Sequence, residues 1–143
     1  MAKQFEFKHF EKVRYSDCDM HQHLNHARYL SFMEQARVEY FKKLDFLPGR
    51  DWKSIPFIIV SAHCDYRAPA YLGDEVSIEI GVSTMGNTSF RFDYQLKEVK
   101  TGKLLAEGYT IQVMYDYEKM DPMPISTSFK KKIETLKKEA KTV

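Results

Sequence analysis

A long amphipathic segment between residues 25 and 46 is the feature that most limits how this chain folds. Its apolar residues recur three or four positions apart, as they do on one face of an α-helix. They are Tyr29, Met33, Ala36, Tyr40, Leu44 and Leu47. Asn25 is a good N-cap, and Pro48 and Gly49 end the segment. The pattern predicts one helix about 33 Å long at the standard rise.

Strand-like runs make up most of the remaining chain. Residues 5 to 16 and 75 to 85 alternate between apolar and polar, and 55 to 67 contain the continuous apolar stretch FIIV. Two more strand-like runs cover 88 to 99 and 103 to 115. Lys100 to Gly102 is a typical hairpin turn between the last two, and Pro122 and Pro124 close the strand region. This order predicts an α+β fold in a single domain, residues 1–143, in which an antiparallel meander packs one face on the long helix.

A second, C-terminal helix is predicted at residues 127 to 140. Its apolar face is formed by Phe129, Ile133, Leu136 and Ala140. Lysines occupy the other positions of this helix, and they either attract phosphates or an acidic carrier protein, or simply form a solvated face.

The composition excludes several classes of function. A net charge of +2 over 143 residues is too small to indicate a nucleic-acid partner. No apolar run is long enough to span a membrane, and the first ten residues lack the apolar core of a signal peptide. Two cysteines, Cys18 and Cys64, make no disulfide scaffold. Free thiols without an export signal predict a cytoplasmic protein.

The approach to the long helix carries most of the candidate chemistry. Asp17 and Asp19 lie two positions apart at the predicted end of a strand, so both should point to one side and Cys18 to the other. A helix start offers unpaired N–H groups that stabilise an oxyanion, and a carboxylate in front of it can act as base or nucleophile. This combination suggests acyl transfer or hydrolysis. Spacing alone does not choose between the two carboxylates. The alternative interpretation is that one Asp only shapes a loop or turn.

Three histidines in the same stretch raise the question of a metal. His21, His23 and His26 fit no known zinc spacing, and His26 falls on the first helical turn, where its direction is already set. We therefore expect no bound metal. Asn25 caps the helix, which fixes the orientation of the His26 N–H.

Three motifs in series resemble the hotdog-fold acyl-CoA thioesterases of the 4-hydroxybenzoyl-CoA thioesterase type. The first is Tyr15-x-Asp17-x-Asp19 with the helix start at residues 24 to 30 and with Glu34, Ala36 and Arg37. The second runs from Asp65 to Val76, and the third comprises Gly86-x-x-Ser89-Phe90 and Pro122-x-Pro124.

The resemblance implies a five-stranded antiparallel sheet wrapped around a long central helix, in a homodimer or homotetramer. It also implies an acyl-CoA substrate, with coenzyme A as part of the substrate and no separate cofactor. Asp19 matches the catalytic carboxylate, His26 supplies the N–H that polarises the thioester carbonyl, and Asn25 and Glu34 orient the loop or a water. Substrate contacts would come from Arg67, Asn87, Thr88 and Ser89, completed across the dimer.

Two departures from the family pattern concern substrate binding. Many relatives have Gly where this chain has Gln22, and the hairpin at Gly86 to Ser89 lacks the Lys and Arg of the 4-hydroxybenzoyl enzyme. Recognition of the CoA phosphates must therefore differ, or the acyl carrier is another thiol. The acyl group and the role of Asp19 as base or nucleophile stay open. The alternatives are a non-catalytic acyl-CoA or acyl-carrier binding protein and an enoyl-CoA hydratase.

Overall fold

The computed structural model describes residues 5–46 and 56–141. The elements are β1 (Phe7–Lys12), a 3-10 turn (Tyr15–Asp17), α1 (His26–Lys43), β2 (Phe57–Tyr66), β3 (Glu75–Met85), β4 (Ser89–Glu98), β5 (Leu104–Asp116), β6 (Asp121–Pro122) and α2 (Thr127–Lys141). The predicted α+β class with one long helix and a C-terminal helix is confirmed. The predicted ends at Leu47, Pro48, Gly49 and Ile55 lie outside the described residues.

The strands form one antiparallel sheet in the order β1-β3-β4-β5-β2, and the short β6 pairs with β5. The predicted meander is correct for β3, β4 and β5 but wrong for β2. This strand pairs with β5 at the far edge, from Phe57 opposite Met114 to Tyr66 opposite Ala106, while β1 pairs with β3. Between β2 and β3 the chain therefore crosses from one side of the sheet to the other.

The crossing segment, residues 67 to 74, is held by backbone hydrogen bonds from several parts of the fold. Leu24 N donates to Ala70 O at 2.8 Å, and Gly73 N donates to Val13 O at 2.9 Å. Leu72 N donates to the carbonyl of Gln22 at 3.2 Å. The segment thus passes directly beneath the loop that precedes α1.

The apolar stripe of α1 is buried against one face of the sheet, as predicted. Tyr29, Met33, Ala36, Tyr40 and Leu44 are all buried. The Tyr40 ring meets the ring of Phe92 edge-on at 4.9 Å between centroids. The Tyr40 hydroxyl donates to Glu6 Oε2 at 2.8 Å. Burial, with Glu6 beside it, raises the pKa of this phenol, so the hydroxyl stays a donor.

The ends of the two helices differ. Leu44 caps α1, and Asp45 follows with a φ of 58°, a left-handed conformation that a helix cannot continue. On α2, Phe129 packs against Phe46 at 4.5 Å between ring centroids, and Ile133 and Leu136 are buried. Ala140 is exposed, contrary to prediction, because the whole last turn lies beyond the core. No helix among the described residues is long and apolar enough to span a membrane.

Candidate active site

A small hairpin at residues 18 to 24 precedes α1. Cys18 pairs with Leu24, and Asp19 N donates to His23 O at 2.9 Å. Gln22 N donates to Asp19 O at 3.0 Å and closes the turn. Gln22 itself has a φ of 62°, in the left-handed region that favours glycine. The Gly that many relatives have at this position is therefore explained by the turn, and Gln22 adopts the same backbone at some cost.

Asp17 has a structural role. The prediction that Asp17 and Asp19 point to one side of a strand end is wrong, because a 3-10 turn replaces the strand at residues 15 to 17. The buried Asp17 carboxylate accepts hydrogen bonds from Arg14 N at 2.9 Å and Arg14 Nε at 3.3 Å. Its carbonyl accepts from Asn25 N at 2.8 Å. These contacts fix the turn and join it to the helix start.

Asp19 is exposed on the hairpin, and its carboxylate is held by backbone donors. Oδ1 accepts from His21 N at 2.9 Å and from His23 N at 3.4 Å. The hydrogen bond from His21 N is the main cause that lowers the pKa of Asp19, with the second amide and the two imidazoles adding to it. Oδ2 has no hydrogen bond to any described residue. Asp19 therefore presents one free oxygen of an ionised carboxylate.

The start of α1 is capped as predicted. Asn25 accepts a hydrogen bond from Ala27 N at 3.0 Å through its side chain. The N–H of His26 makes no hydrogen bond within the described part of the chain, and His26 is exposed. An unpaired N–H at the positive end of an 18-residue helix is available to an incoming oxyanion.

Aromatic residues line the sheet beside this helix start. The Tyr66 hydroxyl donates to His26 O at 2.9 Å, and the rings of Tyr66 and Tyr29 lie 5.0 Å apart. Cys64, two positions before Tyr66, is half-buried, and burial raises the pKa of its thiol to about 11. The thiol is thus protonated at neutral pH and is unsuited to act as nucleophile.

Glu34 lies on the exposed surface of α1 and not at the hairpin. It is eight residues after His26, about 12 Å along the helix axis. Its Oε2 is 3.7 Å from Arg37 Nη2, and the buried Arg37 donates to the Tyr94 hydroxyl at 3.2 Å. The fold of a single chain therefore does not bring Glu34 to Asp19.

The predicted substrate-binding residues separate into two groups. Arg67 directly follows Tyr66, at the same end of the sheet as His26, and pairs with Glu107 at 3.0 Å and Asp65 at 3.6 Å. Asn87, Thr88 and Ser89 lie in the β3–β4 turn, where their backbone groups bond to Ile125, Met114 and Gly86. Ser89 is opposite Val113 on β5, and Tyr66 is opposite Ala106 on the same strand. These two positions on β5 are seven residues apart, or about 23 Å. Within a single chain this turn is remote from Asp19.

Residues 13–133 match the model of the family described as the thioesterase-like superfamily. The chain belongs to this family. One relative of this thioesterase-like protein is the long-chain acyl-CoA thioesterase FadM of Escherichia coli, 27% identical over 89% of this chain and 96% of the relative.

Solved structures of similar proteins confirm the hotdog fold. A 1,4-dihydroxy-2-naphthoyl-CoA thioesterase from Synechocystis superposes with a TM-score of 0.83 at 20% identity, over 92% of this chain and 97% of that one. A Thermus thermophilus thioesterase, solved with coenzyme A and zinc, superposes with a TM-score of 0.80 at 28% identity, over 92% and 94%.

In this thioesterase-like protein the described residues contain no group of three metal-binding side chains. His23 instead packs edge-on against Tyr71 at 4.9 Å, and His21 lies 6.1 Å from His23 between ring centroids. Sequence reasoning missed Tyr66 as a neighbour of the helix start. The usable signal was its position two residues after Cys64 on one strand, which places both side chains on the same face of the sheet.

Proposed function

We propose that this protein hydrolyses acyl-CoA thioesters, with Asp19 as base or nucleophile and the His26 N–H as oxyanion donor. The observation that carries the proposal is the pairing of an exposed, ionised Asp19 carboxylate with an unpaired N–H at the helix start seven residues later. The long-chain acyl-CoA thioesterase FadM and the structure solved with coenzyme A support the substrate class.

The proposed reaction needs only these groups and water. Asp19 takes a proton from water while the water oxygen attacks the thioester carbonyl, or Asp19 attacks directly and water then cleaves the anhydride. The oxyanion accepts a hydrogen bond from His26 N–H, a contribution of about 3 kcal/mol if it matches other oxyanion donors. In the base route the oxyanion collapses, the C–S bond breaks, and Asp19 returns its proton to the departing thiolate. In the direct route the C–S bond breaks as the anhydride forms, the thiolate takes a proton from solvent, and water then splits the anhydride and restores the Asp19 carboxylate. In both routes coenzyme A leaves as its thiol, and the acid product releases a proton to solvent and leaves as a carboxylate. Neither route requires a cofactor, because coenzyme A is part of the substrate.

A homodimer formed along β2 would complete the site. β2 lies at the sheet edge, and within the described residues no strand pairs with its outer side. Ile59 and Val60 are exposed there, and a ten-residue edge strand that begins with an apolar run is a template for pairing with a second copy. Joining the two β2 strands would give one continuous sheet, and two such dimers would give the homotetramer.

Antiparallel pairing of β2 with its own copy would also give a role to Asn87, Thr88 and Ser89, which lie far from Asp19 in the same chain. The second sheet would run in the opposite direction, so the partner's Asn87, Thr88 and Ser89 would come to the sheet end that holds Tyr66 and His26. They would lie about three strand spacings, or roughly 14 Å, to the side. This distance suits contacts to the coenzyme and not to the carbonyl. Because this turn has no Lys or Arg, its contacts to the coenzyme would be neutral hydrogen bonds.

We place the protein in the cytoplasm because both cysteines are free thiols.

The deciding experiment is steady-state hydrolysis of an acyl-CoA panel, followed by release of the CoA thiol, with Asp19→Asn and Asp17→Asn compared. Asp19→Asn should lose at least about a hundredfold in kcat/KM, as expected for a general base. Asp17→Asn keeps its acceptor oxygen for Arg14 and should lose mainly stability. His26→Ala leaves the backbone N–H in place and should retain much of the activity.

Three results would contradict the proposal. Folded Asp19→Asn with near-wild-type turnover would remove Asp19 from the mechanism. Tight acyl-CoA binding without thiol release would favour the binding protein. Loss of enoyl absorbance with crotonyl-CoA, without thiol release, would favour the hydratase.

A further inference from the structure

A trough of about 600 Å³ lies between the end of α1 and one side of α2. Leu44, the C-cap of α1, and Leu136 from α2 form its apolar floor. Along α2 its walls extend from Thr127 to Glu139, about 18 Å at the helical rise. A concave volume of this size, with an apolar floor and a few polar groups, has the properties of a small-molecule site.

The rim of this trough carries three ammonium groups. They belong to Lys43, Lys131 and Lys132, and none of them forms an ion pair with a described residue. The hydroxyls of Thr127 and Ser128 line the same end. Three unpaired positive charges around one concavity repel each other and favour a bound anion. A solvated lysine face would need neither the concavity nor the leucine floor.

The single carboxylate among the described lining residues gives the trough a direction. Glu139 lies at the opposite end from Thr127 and Ser128, so a negative group is favoured beside Lys131 and Lys132. An apolar body would then extend over Leu44 and Leu136.

The trough is separate from the candidate active site. Lys43 is seventeen residues after His26 on the same helix, which places the two about 26 Å apart along the axis of α1. Lys43 is therefore too far from the His26 N–H to contact a thioester carbonyl bound there in the same chain.

We infer that this trough binds a small amphiphilic oxyanion, a carboxylate or phosphate attached to an apolar body. The oxyanion accepts hydrogen bonds from Lys131 and Lys132, with Lys43 across the trough, and the body covers the two leucines. A free acyl carboxylate has both parts, whereas inorganic phosphate has only the charge. The inference does not depend on the proposed function, because it concerns binding and not turnover.

The test is a titration of the full-length protein followed by backbone amide shifts in NMR. Four probes are compared: decanoate, the neutral 1-decanol, inorganic phosphate and coenzyme A. Decanoate should shift the amides of Lys43, Leu44 and the segment 127–136 in a saturable manner, at least about tenfold more tightly than decanol or phosphate. If coenzyme A shifts the same amides and binds more tightly than decanoate, the oxyanion that the trough prefers is a phosphate, and the proposed site is supported.

Charge reversal provides the matched control. Lys131→Glu combined with Lys132→Glu should weaken decanoate binding at least about tenfold. Lys100→Glu combined with Lys103→Glu makes the same change in net charge in an exposed turn and should leave the affinity within about twofold. If the first pair does not fold, Lys43→Gln tests the opposite wall. Decanol binding as tightly as decanoate, equal losses in the two double variants, or no shift with decanoate and coenzyme A would each overturn the inference.

Discussion

Gly108 is the position where one added methyl group should disturb the fold most. It lies on β5, opposite Cys64 of β2 and Tyr94 of β4. A Cβ built at this position overlaps the carbonyl oxygen of His63 and lies 3.1 Å from Cys64 Cα. Both are backbone atoms of the neighbouring strand, so the overlap is relieved only if β2 moves away from β5.

The cost of Gly108→Ala follows from that movement. Overpacking in a core costs about 1–3 kcal/mol, and each strand hydrogen bond that is lengthened adds about 1 kcal/mol. We therefore expect the free energy of unfolding to fall by about 3–5 kcal/mol, measured by urea denaturation of the purified protein. The displaced strand also carries Tyr66, so its hydrogen bond to His26 O should be weakened as well.

Gly81→Ala is the matched control, because it adds the same methyl group to another strand of the same sheet. Its Cβ would meet the end of the Glu6 side chain, which can rotate away. The cost is the loss of hydrogen bonds that Glu6 accepts from Tyr40 and Val82, about 1–2 kcal/mol, partly offset by a less flexible unfolded chain. Equal losses in the two variants, or a Gly108→Ala loss below about 1 kcal/mol, would refute the steric reasoning.

Three further predictions concern the site and its assembly. Asn25→Ala should lower the free energy of unfolding by about 1 kcal/mol and reduce kcat, because the helix cap is lost. Asn25→Asp keeps the cap and should do neither, which thermal melts and steady-state kinetics test. Because the pKa of Asp19 is lowered, its carboxylate is ionised throughout the neutral range, and activity should be lost only as pH falls through that lowered pKa, on the acid side of an ordinary aspartate. Loss of kcat near pH 6.5 in the pH–rate profile would contradict this assignment. Ala62→Asp places a charge on the exposed β2 edge, close to the same charge on the second copy. Sedimentation should then show a monomer, and kinetics should show little turnover. An unchanged oligomer would exclude pairing through β2.

Local sequence signals were sufficient for the helix and its start. The stripe from Tyr29 to Leu44 repeats over several turns, and a capping Asn precedes it, so neighbouring residues alone determine both features. The alternating run at residues 75 to 85 was predicted with its observed ends, because one face of β3 is buried along most of its length.

Features that depend on distant residues were not predictable in the same way. The apolar run at the start of β2 indicates a strand but does not identify β5 as its neighbour, since pairing depends on how the crossing segment is held. The side chain of Asp17 turns the chain by bonding to Arg14, and this contact competes with the extended conformation that the surrounding residues favour. The distance between Asp19 and the β3–β4 turn likewise follows from the strand order and not from any local motif.

The crossing segment also affects how the hairpin at residues 18 to 24 can open. Its backbone is bonded to Leu24 and Gln22 on the hairpin and to Val13 beside β1. The hairpin cannot separate from α1 without also releasing this segment, so the two should form one cooperative unit of local unfolding. In native-state hydrogen exchange, the amides of Leu24, Leu72 and Gly73 should then share one opening free energy.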